Sequence, residues 1–173
     1  KGETINKGEY LCPVCGASDR DRLIISFFQK KELQKAAEGY RVLQIAPSAS
    51  ISRWIETNCP QVEYETTDLF VDGVTFKSDI QNMKGIKDKT YDLIICSHVL
   101  EHVQDDRAAL KEIKRILKDD GICVFLVPVL LDYEGIDEEW GLTEEENWRR
   151  FGQGDHCRKY GKNPKQTKEE VSK

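Results

Sequence analysis

An apolar run, Tyr91-Asp92-Leu93-Ile94-Ile95-Cys96, stops abruptly at Ser97-His98, and this arrest constrains the chain more than any other feature. A charged amphipathic stretch follows, then Asp119-Asp120-Gly121 and a second apolar run, Ile122-Cys123-Val124-Phe125-Leu126-Val127. Strand, polar strand end, crossover helix and strand form the pattern of a parallel α/β sheet, whose carboxyl strand ends face the ligand. The spacing predicts a helix over 105–118, with Ala109, Leu110, Ile113, Ile116 and Leu117 on one sheet-covering stripe. Asp105 and Asp106 suit its positive amino end, and Lys114, Arg115 and Lys118 its carboxyl end. Gly121 is then expected to take a left-handed turn into the second run.

Upstream, Arg20 to about Glu38 reads as a helix with Leu23, Ile24, Phe27 and Phe28 on one face and Gly39 as its stop. Arg41 to Ala46 reads as a first strand, Pro47 to Ser50 as a turn, and Ile51 to Thr57 as a helix. A second strand, Val62 to Thr67, ends at Asp68, and a brief third, Thr75 to Lys77, ends at Ser78-Asp79. The expected architecture is a Rossmann-like, doubly wound, mainly parallel α/β sheet in a domain over 20–161. A tail with a Cys12-Pro13-Val14-Cys15-Gly16 knuckle precedes it over 1–19, and a polar tail follows over 162–173.

Length and charge narrow the function classes. With 173 residues the chain suffices for one domain. No apolar run approaches the ~20 residues of a membrane span, and no signal-peptide pattern opens the chain, so a cytoplasmic location is expected. A net charge of −5 argues against nucleic acid as partner, because backbone binding needs clustered Lys and Arg. The basic groups near the end, Arg158, Lys159, Lys162 and Lys165, read as a solvated tail. Of the six cysteines, Cys96 and Cys123 fall inside apolar strands and read as small core residues, and nothing suggests a secreted disulfide framework.

The block from Tyr91 to Val127 strongly resembles the fourth and fifth strands of class I S-adenosylmethionine-dependent methyltransferases of the type 11-like kind. A subgroup is similar in three further places. These are Cys12 to Gly16 with Arg20 and Arg22, the Ala46-Pro47 pair after the first strand, and Phe151-Gly152-Gln153-Gly154-Asp155-His156. The resemblance covers roughly residues 11–161. It implies a cofactor site built from Gln44, Ala46, Pro47, Ser48, Asp68, Leu69, Asp79, Ile80, Ser97 and His98. Asp68 stands 20 residues beyond Ser48, the spacing of an acidic residue that accepts ribose hydroxyl hydrogens. Asp79 and Ile80 would meet adenine. Two departures stand out. The first turn, Gln44-Ile45-Ala46-Pro47-Ser48-Ala49-Ser50, contains no glycine where the family has acidic-x-Gly-x-Gly, and Pro47 lacks a backbone donor. Such a turn fails as a phosphate cradle, which disfavours NAD and FAD, but S-adenosylmethionine carries no phosphate. The family's closing antiparallel hairpin is also absent. That leaves either a truncated chain or a five-stranded sheet with an open edge, and an open edge invites a homodimer.

The polar groups at the fourth strand end are Ser97, His98, Glu101 and His102. The catalytic candidates are His98, His102 and His156, because an imidazole titrates near neutrality. His98 and His102 share a face if Val99 to Val103 are helical, and Asp155 is placed to orient His156. A hydrogen-bonding role in the turn is the rival for His102, and a structural role for His156. Glu134 to Trp148, with Trp140 and Trp148, reads as a lid or acceptor wall against ordinary packing. Cys12 and Cys15 have the spacing of half a zinc site, which Cys59, Cys157 or His156 would have to complete; a reduced structural turn is preferred. The expected acceptor is a small molecule or a sugar-type hydroxyl. A non-catalytic scaffold and an NAD-dependent oxidoreductase stand as alternatives.

Overall fold

The computed structural model describes residues 10–162; of the expected tails, 1–19 and 162–173, residues 1–9 and 163–173 lie outside them. Five strands form one sheet: β1 (Arg41–Ile45), β2 (Glu63–Asp68), β3 (Phe76–Lys77), β4 (Tyr91–Ser97) and β5 (Leu117–Leu126). Their spatial order is β3-β2-β1-β4-β5, and every pairing is parallel. The strand order reverses between β1 and β4, so a crevice opens beyond their carboxyl ends, where open α/β sheets bind ligands.

Parity along β1 explains the two cores. Val42 faces the helices α1 (Asp19–Lys30) and α2 (Ala49–Asn58), packing with Ile24, Phe28, Ile51 and Ile55. Leu43 and Ile45 face α3 (Asp106–Ile116), packing with Ala109, Ile113 and Ile116. Each fully buried side chain of this size contributes about 1.5–3 kcal/mol. Helix starts are set by side-chain caps. Ser18 and Asp21 form a reciprocal capping box for α1, Ser48 accepts from Ile51 N–H for α2, and Asp105 from Ala108 N–H for α3.

Three expectations about elements change. The first helix ends at Lys30, not near Glu38; Glu32 turns left-handed (φ 54°) and a short 3-10 turn, Leu33–Lys35, follows. The third helix ends at Ile116, and Leu117 already pairs with Tyr91 as the start of β5. Gly121 is not left-handed. It stands within β5, where the register slips between Tyr91 and Leu93, and a Cβ there would lie 2.8 Å from the Leu117 side chain and 3.0 Å from the Lys118 carbonyl. Close approach, not backbone hand, demands this glycine.

Beyond β5, the chain builds a second, three-stranded sheet that sequence periodicity did not indicate. It comprises β6 (Val129–Leu130), β7 (Ile136–Glu138) and β8 (Arg158–Gly161) in the order β6-β8-β7, with α4 (Glu144–Phe151) between β7 and β8. It does not extend the main sheet, so β5 remains an edge strand. Arg158 is no solvated tail residue. It is 3% exposed and donates to the carbonyls of Leu100 (2.6 Å), Val103 (2.7 Å) and Gln104 (3.0 Å), joining β8 to the turn after β4. Among the described residues, no helix is long and apolar enough to cross a membrane.

Candidate active site

A cavity of about 630 Å³ opens at the carboxyl ends of the main sheet. It lies within the size range of small-molecule sites. Ala46 borders it after β1, Asp68 and Leu69 after β2, Asp79 and Ile80 after β3, and His98 and His102 after β4. The structure thus brings six of the ten proposed cofactor residues together: Ala46, Asp68, Leu69, Asp79, Ile80 and His98.

The other four do not border this cavity. Gln44 is 1% exposed and its Oε1 accepts from the Tyr64 hydroxyl at 2.5 Å, while Ser52 and Tyr64 share a further hydrogen bond. Burial pushes the Tyr64 phenol up to about 12, with Ser52 opposing and Glu56 adding. Gln44 shares the parity of Val42, so it points at the α2 side of the sheet. Ser48 is occupied as the α2 cap and donates to Asp21 Oδ1 at 3.1 Å. Pro47 and Ser97 are the chain neighbours of the lining residues Ala46 and His98.

The glycine-free turn solves its geometric problem in another way. Ala46 itself adopts a left-handed backbone (φ 51°), its N–H donating to Thr67 O at 2.9 Å. His98 does the same at the end of β4 (φ 56°), its N–H donating to Leu126 O at 2.8 Å. Each conformation costs an L-residue roughly 1–2 kcal/mol. Such strain concentrates where a fold holds a functional group in place.

Asp68 uses one carboxylate oxygen locally, Oδ1 accepting from Phe70 N–H (2.7 Å) and Val71 N–H (2.9 Å). Its Oδ2 accepts from none of the described residues and belongs to a side chain that borders the cavity. Asp79 is tied to Gln81, whose backbone N–H and side-chain amide both donate to it. The lining includes three aspartates, Asp68, Asp79 and Asp155, and neither lysine nor arginine. A nucleoside with a cationic group fits this cavity by volume, by the free acceptor on Asp68 and by charge sign. A pyrophosphate does not.

The histidine corner closes one side. Val99 to Val103 form a turn and not a helix, with His102 N–H donating to Val99 O at 3.0 Å. Asp155 faces His102, its Oδ2 3.1 Å from Nδ1, so it orients that ring and not His156 as the sequence suggested. The His102 and His156 rings meet edge to face, centroids 4.6 Å apart. Burial, then the neighbouring His102, lowers the His156 pKa below the usual imidazole value. Burial would raise the Asp155 pKa, but Gln153 and then His102 outweigh it and hold the carboxyl low. Glu101, a strand-end group whose role the sequence left open, is 1% exposed beside His98 Nδ1 (3.0 Å). Trp140 borders the cavity, whereas Trp148 of α4 does not. Phe70, Gln81, Val103 and Gln104 also line the cavity, with Ile45, Ser78 and Val99, and only their nearness to strand ends signalled them.

The Cys12 knuckle closes through Gly16 N–H to Cys12 O (2.8 Å). Backbone N–H groups of Cys15, then Val14, hold the Cys12 thiol below its usual value. Among the described residues, no third ligand joins Cys12 and Cys15 in a group able to hold a metal.

Residues 29–125 match a family model described as a methyltransferase domain. Thiol S-methyltransferase TMT1B of Rattus norvegicus is 33% identical over 76 residues, covering 44% of this chain and 31% of that protein. The mouse (Mus musculus) protein of the same name is 24% identical over 119 residues, covering 69% of this chain and 47% of its own. The chain therefore spans less than half the length of these curated relatives. Among solved structures, phosphoethanolamine N-methyltransferase 2 of Haemonchus contortus, in complex with S-adenosyl-L-methionine, aligns with a TM-score of 0.57 and 16% identity. That alignment covers 91% of this chain and 36% of that one. A SAM-dependent methyltransferase from Archaeoglobus fulgidus aligns with a TM-score of 0.54 and 18% identity, over 88% and 67% of the two chains. At these identities the structural likeness concerns the fold.

Proposed function

Because the chain belongs to the methyltransferase domain family, we propose that it is an S-adenosylmethionine-dependent methyltransferase acting on a small-molecule acceptor. The observation that carries this reading is the charge of the cavity: three aspartates, with neither lysine nor arginine, suit a sulfonium and repel a dinucleotide's phosphates. When bound, S-adenosylmethionine supplies a methyl group already activated by positive charge. Asp68 would hold the ribose hydroxyls through its free oxygen, with Asp79 and Ile80 beside the base and Ala46 and His98 against the remainder.

His98, His102 and His156 are assigned to the acceptor side. His98 Nδ1 lies 3.0 Å from Glu101 Oε1, and we assign Nε2 of His98 as the nitrogen that accepts the acceptor's proton. His102 and Trp140 line the cavity, and His156, which does not border it, packs edge to face against His102. The Cys12–Gly16 knuckle and the Ala46-Pro47 turn support our reading of the corresponding subgroup, with residues 20–161 as its methyltransferase-like domain, and a cytoplasmic location is proposed with it. Titration calorimetry with S-adenosylmethionine, S-adenosylhomocysteine and NAD tests the reading. Heat from the first two alone is the expected result. No heat from either would leave a non-catalytic scaffold, and heat from NAD alone an oxidoreductase.

The open β5 edge supports a homodimer, since Phe125, Val129, Leu130 and Leu131 are exposed beside it. Sedimentation velocity across a hundredfold concentration range is expected to show a dimer growing in. A lone monomer throughout would remove this assembly.

A further inference from the structure

The chain contains three histidines, and the fold gathers all of them at one corner. Two of them, His102 and His156, present ring nitrogens within 4.8 Å of each other and of a Glu101 carboxylate oxygen. Glu101 is the unusual member. It is 1% exposed, and neither oxygen accepts a hydrogen bond, although His98 Nδ1 lies 3.0 Å from Oε1. A buried carboxylate left in this state is costly unless a cation or a set of donors compensates it.

We infer that Glu101, His102 and His156 bind one divalent transition-metal ion of the zinc class. Two imidazoles and a carboxylate are a known donor set for zinc with an open coordination position. Donors about 2.1 Å from a tetrahedral ion stand roughly 3.4 Å apart, so small side-chain rotations close the present spacing. The frame behind the donors is already fixed. Cys157 N–H donates to Glu101 O at 2.9 Å, and the Cys157 thiol to the Glu101 and Val103 carbonyls at 3.3 and 3.2 Å. Arg158 holds the carbonyls of Leu100 and Val103 on either side. Asp155 against His102 Nδ1 is the outer-sphere contact that orients a ligating imidazole and turns Nε2 toward the ion. His102 also borders the cavity, so the open position faces the space where an acceptor would enter.

Cobalt(II) is the probe, because its absorption separates nitrogen and oxygen ligation from thiolate ligation. The chelator-stripped protein is titrated with Co²⁺ and then with Zn²⁺, and the variants Glu101→Gln, His156→Ala and the Cys12→Ser/Cys15→Ser pair are titrated in parallel. One equivalent of Co²⁺ is expected, with visible d–d bands, no thiolate charge-transfer band, and displacement by Zn²⁺. Glu101→Gln and His156→Ala are each expected to weaken binding by about 100-fold or more, since even outer-sphere contacts carry 10–100-fold. The cysteine pair is expected to leave it unchanged. Glu101→Gln keeps the shape and removes the buried charge, so it carries the test should His156→Ala fold poorly. Wild-type protein that takes up no Co²⁺ would overturn the site. So would binding that survives Glu101→Gln, or binding that disappears only with the cysteines.

Discussion

Replacing Arg158 with alanine is expected to destabilise the protein by about 3–5 kcal/mol, the loss seen when one partner of a buried charged network is removed. Domains of this size hold about 5–15 kcal/mol in total, so the variant should unfold at a much lower urea concentration. The reason lies in what the guanidinium satisfies. Its fork reaches three backbone carbonyls of the turn after β4, and its Nε lies 3.1 Å from Glu138 and 3.7 Å from Asp106. Burial alone would lower its pKa, but Asp106 and the other acidic neighbours hold the charge in place. Without it, Asp106 keeps the Tyr160 hydroxyl at 3.0 Å as its remaining partner from β8, the Leu100 and Gln104 carbonyls lose the guanidinium donor, and Val103 O keeps the Cys157 thiol at 3.2 Å. Lysine should recover little, because one ammonium cannot span a fork of acceptors. Arg149→Ala supplies the contrast: its pair with Glu145 is exposed on α4, and such pairs carry only about 0.5 kcal/mol. Equal losses for the two arginines would show that the carbonyl contacts of Arg158 contribute nothing.

Arg158 also shows where sequence reasoning ends. The runs Arg41–Ile45 and Tyr91–Ser97 were readable as strands because their apolar side chains fill both faces of a parallel sheet. A basic group near the end of a chain carries no such mark. What buries Arg158 is a set of carbonyls more than fifty residues upstream, and backbone acceptors have no letter in the sequence. The second sheet was hidden for a related reason. β6 and β7 are two and three residues long, too short for a period of two to appear. The placement of Gln44 away from the cavity was legible, since its parity with Val42 already sets it on the face opposite Leu43 and Ile45. Glu101 was visible as a polar strand-end group, but its complete burial depends on β8 folding back over the turn.

Asp68→Asn is expected to weaken S-adenosylmethionine binding by about 10- to 100-fold while leaving the fold intact. Asparagine keeps a carbonyl oxygen able to accept from Phe70 and Val71 N–H, so the loop after β2 retains both of its anchors. The change falls on the other atom. Oδ2, an anionic acceptor beside the cavity, becomes an NH₂ that donates and cannot receive a ribose hydroxyl hydrogen. A hydrogen bond to a charged group contributes about 1.5–3 kcal/mol, and each 1.4 kcal/mol is a factor of ten in affinity. Asp68→Ala would lose the same affinity but also free the two loop N–H groups, so the difference in Tm between the variants measures the structural half of the residue alone. Asp79→Asn is the neighbouring comparison and is expected to lose less affinity, because both Asp79 oxygens are already engaged by Gln81. Calorimetry that finds Asp68→Asn binding as tightly as the parent would remove Asp68 from the site. The ribose would then need its acceptor elsewhere in the cavity, and Asp79 and Asp155 are the other carboxylates that border it.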